Sequence, residues 1–123
     1  LNVLGERWPD QEHVFTTILN ATTDTNAGTS TDVQAWALRV LGERWPDQEH
    51  VFTTILNATT DTDAHVRETA LNVLGERWPD QEHVFTTILN ATTDTDTYVR
   101  ITALRVLGER WPNRDHVFTT ILN

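Results

Sequence analysis

Val66 to Phe85 reads VRETALNVLGERWPDQEHVF, and close copies of this stretch recur along the chain while almost everything else connects them. Its Trp-Pro marker stands at Trp8, Trp45, Trp78 and Trp111, at intervals of 37, 33 and 33 residues. A fixed period of roughly 20–50 residues marks a repeat array, in which each unit buries its apolar face against its neighbours instead of in one central core. The copies are nearly identical: Leu1 to Thr25 matches Leu71 to Thr95 at every position. Clues to function therefore have to come from the places where the copies differ.

Working outward from this stretch, each unit reads as two helices. Residues 1–7 look like the back half of a first helix, which Trp8 and Pro9 are expected to end, because proline disfavours continuation of the preceding turn. Asp10, and at the same offset Asp47, Asp80 and Asn113, then fit as N-caps of a second helix over about residues 11–22. Val14, Phe15, Ile18 and Leu19 share one face of it and are expected to be buried. A TDTD turn follows in the later copies, with Asp63 and Asp96 as caps of longer helices over about residues 64–77 and 97–110. On the first of these, Val66, Ala70, Val73 and Leu74 make one apolar side, flanked by Leu71 and Trp78. Gly75 fits either a close approach of two backbones or the beginning of a helix end. Between Thr25 and Val33 the chain reads NAGTSTD, a four-residue insertion within 26–32 that accounts for the longer first interval. It is expected to bulge out as a loop, with Ser30, Thr31 or Asp32 capping the helix that follows.

Composition narrows the function classes. All 9 basic residues are arginine and face 18 acidic ones, so the net charge of −9 argues against a surface that tracks nucleic-acid phosphates. With no cysteine there is no disulfide framework, thiolate metal site or thiol nucleophile. No apolar run reaches the length of a membrane span, so a cytoplasmic location is expected and no membrane partner. The chain lacks an initiator Met and starts in mid-motif, so the natural N-terminus is expected to lie elsewhere.

The string D-x-D-x-x-V-R-x-x-A-L-x-x-L-G stands here as Asp61, Asp63, Val66, Arg67, Ala70, Leu71, Leu74 and Gly75, and again as Asp94, Asp96, Val99, Arg100, Ala103, Leu104, Leu107 and Gly108. It resembles the HEAT-like repeat family, and the appended Trp-Pro-Asp looks like the tandem repeats C-terminal to bacterial NACHT-type signalling ATPases. The resemblance covers the whole chain and implies an all-α fold: a HEAT-like α-solenoid of antiparallel helix pairs, one domain over residues 1–123. It also implies that the V-R helix lines the inner, concave side. The arginine and the turn aspartate would join in a ladder from repeat to repeat, here Arg67 and Arg100 with Asp61 and Asp94. Gln34 stands at the arginine position of the first full copy, so one rung is expected to be missing there.

Internal comparison points to a site. The second helix hardly changes, apart from Asn113, Arg114 and Asp115 in place of Asp-Gln-Glu. The first helix varies at four aligned sets: Asp32, His65 and Tyr98; Ala35, Glu68 and Ile101; Trp36, Thr69 and Thr102; Arg39, Asn72 and Arg105. Their spacing of i, i+3, i+4 and i+7 puts them on one stripe, which is expected to lie outside the repeated packing and to carry recognition side chains for a protein or peptide. Trp36, Tyr98, Ile101 and the two arginines have the character of interface anchors. Unconstrained drift at exposed positions is the competing reading, with Trp36 covering the inserted loop.

Other patterns carry less. His13, His50, His83 and His116 recur once per unit, as any duplicated surface residue would, and no metal role is assigned to them. The Asp-Thr-Asp turns lack the spaced oxygens of a calcium loop. Three Asn-Ala-Thr sequons begin at Asn20, Asn57 and Asn90, one match copied by duplication. No nucleophile elbow, phosphate-binding glycine loop or zinc motif is present, so neither catalysis nor a cofactor is expected, although some HEAT-like proteins are bilin lyases. Leu1, Val3 and Leu4 at one end, and Val117, Phe118, Ile121 and Leu122 at the other, are expected to be uncapped apolar faces suited to head-to-tail association. The leading expectation is an interaction module, possible also as the sensor region of a larger signalling ATPase; the alternative is a structural spacer or self-assembling rod.

Overall fold

The computed structural model describes residues 13–22 and 31–114, and the regular elements among them are all helical. They are α1 (residues 13–21), α2 (Thr31–Arg44), α3 (Glu49–Ala58), α4 (Ala64–Arg77), α5 (Glu82–Asn90) and α6 (Thr97–Arg110), with a short 3₁₀ turn at Ala91–Thr93. The head-to-tail residues named above lie outside the described part, as do Asp10, Ser30 and His116. The three 14-residue helices α2, α4 and α6 pack side by side in chain order. The shorter α3 and α5 lie on this layer, α3 against α2 and α4, α5 against α4 and α6.

The starts of α4 and α6 follow from their aspartates. Asp63 Oδ1 accepts from the backbone N–H groups of His65 (2.9 Å) and Val66 (3.2 Å), and Asp96 Oδ1 does the same for Tyr98 (2.8 Å) and Val99 (3.1 Å). Thr31 and Asp32 are already inside α2 and so are not its cap. The expectation for Asp47 and Asp80 is overturned. The residues at the N-cap positions of α3 and α5 are Gln48 and Gln81, with no side-chain capping bond. Proline at the second position of a four-residue turn has its φ already set, and the Trp-Pro-Asp-Gln segment closes as such a turn, with Gln81 N–H donating to Trp78 O at 3.2 Å. The aspartate is spent inside the turn and the helix starts two residues later.

Packing repeats from unit to unit. Leu38, Leu41, Val51, Ile55, Val66, Ala70, Leu71, Leu74, Val84, Ile88, Val99 and Leu107 are fully or almost fully buried in one continuous core. Val14 departs from the pattern: it is exposed, whereas Val51 and Val84 in the same register are buried. Gly42 and Gly75 have negative φ, so backbone freedom is not what requires them. A Cβ on Gly42 would collide with Cγ1 of Val73, and one on Gly75 with Cγ1 of Val106. Each glycine is a socket on one long helix for a valine of the next, so it makes room for a side chain, where the sequence suggested a close approach of two backbones or the beginning of a helix end. In the second layer, Phe15 meets Trp45, Phe52 meets Trp78 and Phe85 meets Trp111 edge to face, with centroids 5.0, 5.1 and 5.3 Å apart.

Candidate functional site

A helix turns about 100° per residue, so Tyr98, Arg105 and Glu109 fall on one narrow strip of α6, with Ile101 and Thr102 on its opposite flanks. The same geometry on α2 and α4 produces rows that cross the three helices. Asp32, His65 and Tyr98 are all exposed, and His65 Nε2 lies 3.5 Å from Asp32 Oδ1. Arg39, Asn72 and Arg105 form the second row, in which Arg105 Nη2 donates to Asn72 Oδ1 at 2.6 Å. Glu43, Glu76 and Glu109 form a third exposed row, and Arg105 Nη1 donates to Glu109 Oε1 at 3.4 Å. These glutamates share the surface but are identical between copies, so internal comparison had no signal for them.

The two flanking sets behave differently and correct the sequence reading. Ala35, Thr69 and Thr102 are 4%, 5% and 3% exposed, so they are not available to a partner. They lie where adjacent long helices meet: Thr102 Oγ1 donates to Glu68 Oε2 of α4 at 2.9 Å. Part of the variation between copies therefore belongs to the seam between helices. Trp36 and Ile101, from the same flanking sets, are 66% and 53% exposed, and Tyr98 is 71% exposed. Large apolar side chains that remain this open on a layer whose other aliphatic groups are mostly sealed are the notable feature of the surface.

At the N-terminal ends of the long helices, Arg67 reaches two turns at once. Its Nε and Nη2 donate to Asp94 Oδ2 and Oδ1 at 3.0 and 2.9 Å, a two-point fork, while Nη1 donates to the carbonyls of Asp61 (2.9 Å) and Thr62 (3.1 Å). The carboxylate partner of Arg67 is thus the following turn's aspartate, and Asp61 contributes its main chain. Asp61 Oδ1 accepts from Asp63 N–H at 2.9 Å, and Asp94 Oδ1 from Asp96 N–H at 2.8 Å. The Arg67 hydrogen bond holds the Asp94 carboxyl below its ordinary pKa, partly opposed by burial, and in return Asp94 raises that of Arg67. Arg100 donates from Nη1 to Asp94 O at 2.7 Å and from Nη2 to Thr97 Oγ1 at 3.1 Å.

Arg114, one of the few changes in the second-helix sequence, grips Glu82 with both Nη atoms (3.2 and 3.3 Å) and lies with Cζ 3.6 Å above the centre of the Phe85 ring. Phe85 is buried, whereas Phe52, which has Gln81 at the corresponding place, is only half-buried. His13, His50 and His83 are exposed, and among the described residues no group of three or more His, Asp and Glu could hold a metal ion. The sequon threonines are engaged with their own helices: Thr22, Thr59 and Thr92 hydroxyls each donate to the leucine carbonyl three residues back at 2.7 Å. A groove between α3 and α5 is lined by Leu56, Thr59, His83, Thr87 and Ala91, and the one carboxylate on its wall, Asp94, is already held by Arg67. No described helix is long and apolar enough to cross a membrane.

Stacked helix pairs joined by a recurring glycine socket, an edge-to-face aromatic pair and an arginine–aspartate fork define an α-solenoid scaffold of the kind that displays side chains on one layer. The family model for HEAT repeats matches residues 19–107, and the chain belongs to that family. HEAT repeats are generally protein-interaction or scaffold modules and typically non-enzymatic. No curated protein and no solved structure matches the chain.

Proposed function

We propose that the chain is a protein–protein interaction module that takes a protein or peptide across the open face of α2, α4 and α6. The exposure of Tyr98, Trp36 and Ile101, the three most open large apolar side chains among the described residues, carries this reading. The contacting residues on this reading are Asp32, Trp36, Arg39, His65, Glu68, Asn72, Tyr98, Ile101 and Arg105, with Glu43, Glu76 and Glu109 at the edge. The long helices pack side by side while α3 and α5 sit on them, which favours the long-helix layer as the inner side of the curve. Binding would be docking onto preformed side chains, with no bond made or broken. Use as the sensor region of a larger signalling ATPase rests on the NACHT-type resemblance, and a nucleotide-binding segment in the same polypeptide is the observation that would support it.

A structural rod is the second reading, favoured by the glycine sockets and aromatic pairs that recur from unit to unit. Replacing Trp36, Tyr98 and Ile101 together by Ala separates the two. The interaction reading expects loss of a cross-linked partner with an unchanged helical circular dichroism signal, and no such loss for a second-layer control, Thr53→Ala with Thr86→Ala. Equal capture by both variants favours the rod.

A further inference from the structure

Each long helix is gripped by the next along one flank, and two internal examples show how. On α2 the flank is Ala35, Leu38 and Gly42, and on α4 it is Glu68, Leu71 and Gly75, a spacing of i, i+3 and i+7 that puts the three on one stripe. The following helix closes each of them. Val73 fills the Gly42 socket and Val106 that of Gly75, Leu38 and Leu71 are sealed, and Glu68 accepts from Thr102. Beside the α4 stripe, Arg67 takes the carboxylate of Asp94 from the turn before α6. The same flank of α6 is Ile101, Leu104 and Gly108, and here it is open: Ile101 is exposed, and Leu104 and Gly108 are only half-buried. Arg100, at the place of Arg67, donates to Asp94 O and Thr97 Oγ1, and among the described residues it makes no ion pair. The flank thus keeps the side chains that couple one unit to another, with an apolar stripe, a socket and a guanidinium whose carboxylate is not supplied.

We propose that this flank of α6 is a docking edge for an amphipathic helix of a partner protein, which enters as a further long helix would. The internal examples give the chemistry of the occupant. Thr102 and Val106 stand eight and twelve residues after Asp94, and Thr69 and Val73 stand at the same distances after Asp61. A fitting helix therefore carries an aspartate in the turn before it for Arg100, a small side chain eight residues on against Ile101, and a valine twelve residues on for the Gly108 socket. The edge shares Ile101 with the open face, but it is argued from the internal seams and does not rest on the interaction reading above.

The probe is a synthetic peptide of residues 59–77, TTDTDAHVRETALNVLGER, which carries Asp61, Thr69 and Val73. Labelled for fluorescence anisotropy and titrated with the full chain, it should bind saturably, and Gly108→Leu, which fills the socket, should abolish binding. Asp61→Asn in the peptide keeps the turn acceptor but removes the charge, and should weaken binding roughly tenfold, as should Arg100→Ala in the chain. The two together should cost no more than either alone, since both remove the same pair. Should Gly108→Leu fail to fold, these paired variants decide. Tyr98→Ala, on the open face, should leave the peptide's affinity unchanged, which keeps failure of the edge distinct from failure of the interaction reading. No saturation at about 1 mM chain, undiminished binding to Gly108→Leu, or additive losses in the paired variants would overturn the edge. Concentration-dependent self-association of the chain in sedimentation, lost in Gly108→Leu, would overturn it in favour of a second copy as the occupant.

Discussion

At the scale of single residues, the scaffold is set by a few groups whose size or charge is matched to the next unit. Gly75→Ala would raise helix propensity by about 1 kcal/mol, but the new methyl meets Val106 Cγ1 inside a sealed core. Overpacking of this kind costs about 1–3 kcal/mol, so a net loss of stability is expected in urea unfolding, and adding Val106→Ala should recover part of it. Asp94 gives a pH-dependent signature. Its folded pKa is depressed, so its contribution is complete above the unfolded carboxylate value of about 4 and disappears as pH falls through the lower folded value. The pair is 14% and 15% exposed, so solvent screening only partly weakens it, by contrast with surface pairs. Thermal unfolding from pH 5 down to pH 2 should show the parent converging toward Asp94→Asn, which lacks this acid-sensitive component.

At the scale of the helix, stability depends on which aspartate reaches a free backbone N–H. Asp63→Ala removes two hydrogen bonds at the start of α4 and should cost about 1 kcal/mol, while Asp47→Ala removes no capping bond and should cost almost nothing; chemical denaturation of the two variants checks this. The sequence made α4 and α6 legible because the Asp-x-x-Val pattern couples a cap to an apolar face and so marks the start, while Trp-Pro marks the end. The starts of α3 and α5 were not legible at the same precision, since an aspartate after Trp-Pro fits a cap and a turn equally well until the backbone chooses. The face of the long helices was half legible. Spacing along one helix places Tyr98, Ile101 and Thr102 on one stripe, but it does not say which flank the neighbouring helix covers, and that is where Ala35, Thr69 and Thr102 went. Glu43, Glu76 and Glu109 escaped for the opposite reason, because exposure without variation leaves no mark in an internal comparison. The Arg114 clasp on Glu82 and Phe85 spans two units and could not be read from either alone.

At the scale of the molecule, one set of contacts recurs along the stack while the open face of the long helices changes from unit to unit. Glycine sockets and aromatic pairs recur, with the Arg67 fork added between α4 and α6, and they hold neighbours together without Asp32, His65 and Tyr98, although Arg105 on the same strip does bond Asn72 of the neighbouring helix. In a repeat array such a separation lets surface side chains be exchanged without refolding the units. It is also what distinguishes a display surface from residues that are merely part of the packing.

The most direct test is the unfolding free energy of the triple variant Asp32→Ala, His65→Ala, Tyr98→Ala, measured in urea against the parent chain. If the strip takes no part in holding the units together, the midpoint and slope should be unchanged within about 0.5 kcal/mol, as for ordinary surface substitutions. A loss of about 2 kcal/mol or more would mean that these side chains belong to the scaffold, and the division between packing and open face would be contradicted.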